Sequence, residues 1–115
     1  MNKINEFDIQ KIFHAWCKKQ PYIIECWHVP NGMQATPEAC RKMKLIGLHK
    51  GVCDYWLLLE NGIIAAIEFK TQNGSLSQQQ EKFIENLIKC NIPVCIARSV
   101  YEATQFVKKI LNRVS

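Results

Sequence analysis

The sequence predicts an α/β fold, a mixed β-sheet flanked by helices in the order α-β-α-β-β-α-β-α. Three observations predict it. Apolar residues recur at helical spacing in some segments and crowd into short β-branched and aromatic runs in others. Two of those runs, Cys53 to Leu59 and Ile63 to Lys70, are parted only by Glu60-Asn61-Gly62, which marks a hairpin. Single helical segments separate the other strands, as layered α/β domains require.

Each element has its own local reason. Asn5 is an N-cap for a first helix over about Glu6 to Lys19, which Pro21 ends. Ile9, Ile12, Phe13 and Trp16 form its apolar stripe. Tyr22 to Val29 is rich in β-branched and aromatic residues, hence a strand. Pro30-Asn31-Gly32 is a turn. Thr36-Pro37 opens a second, shorter helix, with proline in the tolerated first position. Gly47 and Gly51 loosen the chain after it. Ser77 with Gln80, and Ser99 with Glu102, have the spacing of capping boxes and open the third and fourth helices, the last to about Arg113. Phe83, Ile84, Leu87 and Ile88 form the stripe of the third, and Ile92 to Ala97 is a short buried strand between them.

The chain has 115 residues, 48% of them hydrophobic, enough for one domain over 1–115 with one core. The formal net charge of +5 favours an anionic partner such as nucleic acid. Arg41, Lys42, Lys44 and Lys50 lie in a stretch from Ala39 to Cys53 that holds no acid. Alone that is a solvated basic loop. Just upstream of Asp54 it suits contact with backbone phosphates.

Composition also excludes classes. The six cysteines form no C-x-x-C pair and no Cys/His set with zinc spacing, and several sit in apolar strand patterns as small hydrophobes, not in a disulfide framework. The polar N-terminus lacks the apolar core of a signal peptide, and no run is long enough to span a bilayer. The expected setting is a reducing cytoplasm, with no membrane partner.

The chemistry centres on Asp54, Glu68 and Lys70. Ile63 to Ile67 is wholly apolar, as in an interior strand covered on both faces. Charges at its end sit at a sheet rim, where a site can open. Strand alternation puts Glu68 and Lys70 on one face. Two carboxylates and an ammonium there could hold a hard divalent cation and a water beside a phosphodiester. The hairpin register decides whether Asp54 joins them. A two-residue turn at Asn61-Gly62 pairs Asp54 with Phe69 and turns it away. A three-residue loop pairs Leu59 with Ile63 and sets Asp54 opposite Glu68, about 5 Å apart at Cβ. That loop wants a left-handed last residue, which Gly62 supplies, so the three-residue loop is predicted.

Two helices bring further polar groups. Gln80 lies on the buried stripe in the first turn of the third helix, as a capping residue or as a hydrogen-bond donor to the site or to phosphate. Glu6 lies at the edge of the first helix's stripe, and a first-turn acid is also favoured by the helix dipole.

Together, Glu6-Phe-Asp-Ile-Gln10, Pro30-Asn-Gly32, Gly47-Leu-His-Lys-Gly-Val-Cys-Asp54, Ile67-Glu-Phe-Lys70 and Leu76-Ser-Gln-Gln-Gln80 resemble the VRR-NUC family. These are nucleases of the PD-(D/E)xK, restriction-endonuclease-like superfamily, and the likeness covers nearly the whole chain in order. The sequence departs at Cys53, where proline is usual before the aspartate, and at Gln78, where proline often follows the serine. Neither position supplies a catalytic group.

The resemblance implies a role for each matched residue. Asp54 and Glu68, with the Phe69 carbonyl, would ligate Mg²⁺ or Mn²⁺, and Glu6 would complete the shell directly or through water. Lys70 would orient the attacking water and stabilise the transition state, and Gln80 would position water or substrate. Gln10 is placed near the site. Asn31 and Gly32 are a DNA-facing turn or an ordinary one. Small stand-alone members, often viral or bacterial, resemble homodimeric Holliday junction resolvases. The implied function is therefore a DNA endonuclease acting on branched or structured DNA as a homodimer, in a bacterial or virus-infected host cell. The alternatives are a nicking or restriction-type nuclease and a non-catalytic nucleic-acid-binding module.

Overall fold

A computed structural model describes residues 5–30 and 35–114. Its helices are α1 (Glu6–Cys17), α2 (Pro37–Leu45), α3 (Gln78–Lys89) and α4 (Val100–Val114), and its strands are β1 (Ile23–His28), β2 (Tyr55–Leu59), β3 (Ile63–Phe69) and β4 (Val94–Ala97). Among the described residues the strands form one sheet in the order β1-β2-β3-β4. The β1-β2 and β2-β3 pairs are antiparallel, and β4 joins β3 in parallel. This is the mixed sheet and element order that the sequence predicts. Asn31 and Gly32 lie outside the described residues.

Alternation along the strands divides the interior in two. Tyr55, Leu57, Leu59, Ala65, Ile67 and Phe69 face a core shared with Ile9 and Phe13 of α1 and with Ala103 and Val107 of α4. On the other face Ala66 meets Cys53 and Ile84 of α3, with Trp56 and Phe83 beside them. Glu68 and Lys70 share the parity of Ala66, so β3 aims them toward the α3 side as it leaves the sheet. The strand is interior, as its unbroken apolar run predicts, and it pairs on both edges.

The helix stripes differ in detail from the expected ones. Ile12 is 51% exposed and Ile88 is 60% exposed. In α1 the buried row runs Ile9, Phe13, Cys17, four residues apart, which leaves Ile12 about a quarter turn off its centre. In α3 the small cluster around Ala66 is covered by Ile84 with the half-buried Phe83 and Leu87, and Ile88 in the last turn lies outside it. The first helix stops at Cys17, not Lys19, in a turn before Pro21. The helix α2 buries no residue at all.

The β2-β3 register is the predicted one. Leu59 faces Ile63 and Tyr55 faces Ile67. Glu60-Asn61-Gly62 forms a three-residue turn in which Gly62 has φ 77° and Asn61 also turns left-handed at φ 73°. Asparagine tolerates that region because its short polar side chain bonds locally.

Candidate active site

The β2-β3 register ends at Tyr55 and Ile67, with Asp54 just before that pair and Glu68 just past it. Asp54 is held from four sides. Its carbonyl accepts the Val29 N–H at 2.9 Å and lies 3.0 Å from Nδ1 of His28. Its Oδ1 accepts the Phe69 N–H at 3.2 Å, and its Oδ2 accepts Nε2 of Gln10 at 3.4 Å. The first contact ties Asp54 to the end of β1 and the last ties it to α1.

Both carboxyls are buried, Asp54 with 7% of its surface exposed and Glu68 with 2%. Oε1 of Glu68 is fully covered and has no hydrogen-bond partner. Burial and then the charge of Asp54 push the Glu68 carboxyl up to about 8, against the pull of the Lys70 ammonium. Burial pushes Asp54 up to about 6, opposed by the Phe69 N–H. Burial and mutual repulsion both favour a proton on the pair. A buried acid without a partner is costly, and two side by side cost more. The arrangement suits a hard cation that would take over from the proton.

Glu6 adds negative charge felt by both carboxyls. Among the described residues, however, no three His, Cys, Asp or Glu side chains are gathered closely enough to hold a metal. Asp54, Glu68, the Phe69 carbonyl and water could supply an oxygen shell here, with Glu6 directly or through water.

Lys70 is half-buried just past β3, and its N–H donates to the Ala97 carbonyl at 3.0 Å. Gln80 fills the capping box: its Oε1 accepts the Ser77 N–H at 2.9 Å, and its own N–H donates to Oγ of Ser77 at 3.1 Å. Any further contact falls to its Nε2. Arg41, Lys42, Lys44 and Lys50 are exposed. Lys42 meets Glu38 at 3.8 Å, an exposed pair of little energetic weight.

Three residues carry roles that the sequence does not announce. His28 steadies the Asp54 carbonyl, and its position at a strand end belongs to no motif. Arg98 places Nη1 2.6 Å from the Thr71 carbonyl and 2.7 Å from that of Gly74, fixing the loop between Lys70 and α3. Gly51, at φ 87°, passes so close to α3 that an added Cβ would lie 2.5 Å from the backbone carbon and oxygen of Gln79. It docks the segment leading into Asp54 onto the start of α3, where the sequence suggests only looseness. No spacing rule reveals contacts this distant in the chain.

Comparison with known proteins agrees with this architecture. The model of the VRR-NUC domain family matches residues 4–101. A solved structure described as a VRR_NUC domain protein superposes with a TM-score of 0.74 at 19% identity, over 95% of this chain and 89% of that one. A second, described as a VRR_NUC domain, gives 0.62 at 15% identity, over 90% of this chain and 94% of that one. No curated protein matches. No described helix is long and apolar enough to cross a membrane.

Proposed function

The chain belongs to the VRR-NUC domain family, a family of nucleases, and from that premise we propose a metal-dependent endonuclease that hydrolyses DNA phosphodiester bonds. Its substrate is branched or structured DNA, cut in the manner of a Holliday junction resolvase by a homodimer. It works in the cytoplasm of a bacterial or virus-infected cell. The observation that carries the reading is the partnerless Oε1 of Glu68, buried beside Asp54.

Asp54, Glu68 and the Phe69 carbonyl would hold Mg²⁺ or Mn²⁺, with Glu6 completing the shell directly or through water. A bound divalent cation supplies an ionised water and offsets charge on the phosphate. The protein's own groups do the rest. Gln10 and the Phe69 N–H fix both oxygens of Asp54. Lys70 orients the attacking water and neutralises charge that develops on the phosphate oxygens. Nε2 of Gln80 positions water or substrate. Asn31, Arg41, Lys42, Lys44 and Lys50 meet the DNA, the cations through its phosphates.

The test is cleavage of a labelled four-way junction and the matching linear duplex, with Mg²⁺, Mn²⁺ or EDTA. Metal-dependent cutting of the junction alone is expected. Equal cutting of both substrates would favour a nicking or restriction-type enzyme, and binding without cutting would favour a non-catalytic module. Light scattering with and without DNA checks the dimer, and a monomer in both conditions would remove it.

The double reversal Lys42→Glu, Lys44→Glu is expected to weaken DNA binding tenfold or more. The slope of log affinity against log salt should flatten by about 2, near one for each phosphate that the variant no longer neutralises. Unchanged affinity and slope in a filter-binding titration would take α2 out of the DNA interface.

A further inference from the structure

A cavity of about 470 Å³ opens beside the carboxylates, between α1 and the strand ends where β1 meets β2. That is within the size range of small-ligand sites, roughly 300–1,000 Å³. It borders the candidate active site through two residues that touch Asp54. Gln10 lines it and donates to Oδ2 of Asp54 at 3.4 Å. His28 lines it and lies 3.0 Å from the Asp54 carbonyl. Whatever fills the cavity therefore lies close to any phosphate held over Asp54 and Glu68.

The walls are of a particular kind. Phe7 contributes an aromatic ring that is 70% exposed, although it sits on a helix whose opposite face is well buried. Tyr55 forms the floor, its hydroxyl fixed 2.7 Å from Nδ1 of His14. Lys11 is exposed at the rim. Glu6 is the one acid in the lining, against Lys11 and two histidines. An open aromatic face with a cation beside it fits a nucleobase and its phosphate. Paired DNA keeps its ring faces inside the stack, so a duplex has none to offer.

The geometry points to a subsite for one unstacked nucleotide: its base lies on Phe7 in this cavity, and its phosphate meets Lys11. The inference rests on the nuclease reading for its substrate class and adds how branched DNA is told from linear DNA. Stacking is tolerant of sequence, so the subsite selects structure over sequence.

The protein, in EDTA, is mixed with four-way junctions carrying 5-iodouracil at single positions around the branch and irradiated, and the cross-linked peptide is identified by mass spectrometry. A cross-link to Phe7 is expected from one or two positions at the branch, and none from the linear duplex. Phe7→Ala should lose about tenfold in junction affinity, within the range for removing one aromatic stacking partner. Phe7→Trp should retain it. The exposed position makes both variants compatible with folding. Cross-links that avoid Phe7, equal cross-linking to duplex, or unchanged affinity in Phe7→Ala would each overturn the subsite. Because no cleavage is read, a Phe7 cross-link on DNA that the protein never cuts would keep the subsite and sink the nuclease, whereas cutting without the cross-link would do the reverse.

Discussion

Replacing Glu68 with glutamine is expected to abolish cleavage, by about a thousandfold or more, while making the metal-free protein harder to unfold at pH 8. The two effects have one origin. The carboxyl is buried, its Oε1 lacks a partner, and the charge of Asp54 stands beside it. Ionising it in the folded state is therefore costly. Its pKa rises from the ordinary 4.5 to about 8, and that of Asp54 from 3.8 to about 6. Between about pH 4 and pH 8 the folded chain binds more protons than the unfolded one, so stability is greatest at the acid end and falls as pH rises through those values. Glutamine keeps the shape and never ionises. In EDTA at pH 8 the variant should melt about 5 °C or more above the wild type, and the gap should close toward pH 5. Mg²⁺ should raise the wild-type melting temperature at pH 8 and leave the variant nearly unchanged. Circular dichroism melts across pH decide the matter. A wild type that gains stability with pH, or a variant that melts below it at pH 8, would mean that the carboxyl is not strained. Full cleavage by the variant would remove Glu68 from the ion's shell.

Gly51→Ala is expected to be the most damaging single-methyl change in the chain. The new Cβ would lie 2.5 Å from the backbone of Gln79 and 2.8 Å from the nitrogen of Gln80, atoms fixed in a helix start that cannot swing aside. The backbone φ of 87° adds strain of its own. Together these should cost about 2–4 kcal/mol. The loop must lift from α3, and Asp54 is only three residues on, so cleavage should fall with stability. Gly47→Ala is the control. Gly47 has φ 103°, but nothing lies within 4 Å of its added Cβ. It bears the backbone strain without the collision. Denaturant melts of the two variants separate the effects, and equal losses would show that the close approach to α3 carries no weight.

What is legible in the sequence alone follows from the range of the forces involved. Helix caps at Asn5, Thr36 and Ser77 act within three residues, and each caps as its spacing predicts. The hairpin register also depends on a few neighbours, and the left-handed glycine at the end of the turn goes with the predicted pairing of Leu59 and Ile63. The exposed Ile12 and Ile88 show where this logic ends: a stripe says that a helix has an apolar side, but the partner decides its centre and width. The grip of Arg98 on the loop at 71–74 and the seat of Gly51 on α3 join segments more than twenty residues apart. Nothing in local periodicity encodes them. The charge pattern at 41–50 is plain, but α2 buries nothing, and its bearing on DNA is a matter for the salt titration.

The hold of Arg98 on the Thr71 and Gly74 carbonyls has a consequence for how the enzyme comes into being. Synthesis runs from the N-terminus, so Asp54, Glu68 and Lys70 leave the ribosome well before the arginine that secures the loop beyond them. Strand β4, which closes the free edge of β3, also comes late. A stalled, clipped or half-made chain therefore carries the acids without the frame that aims them.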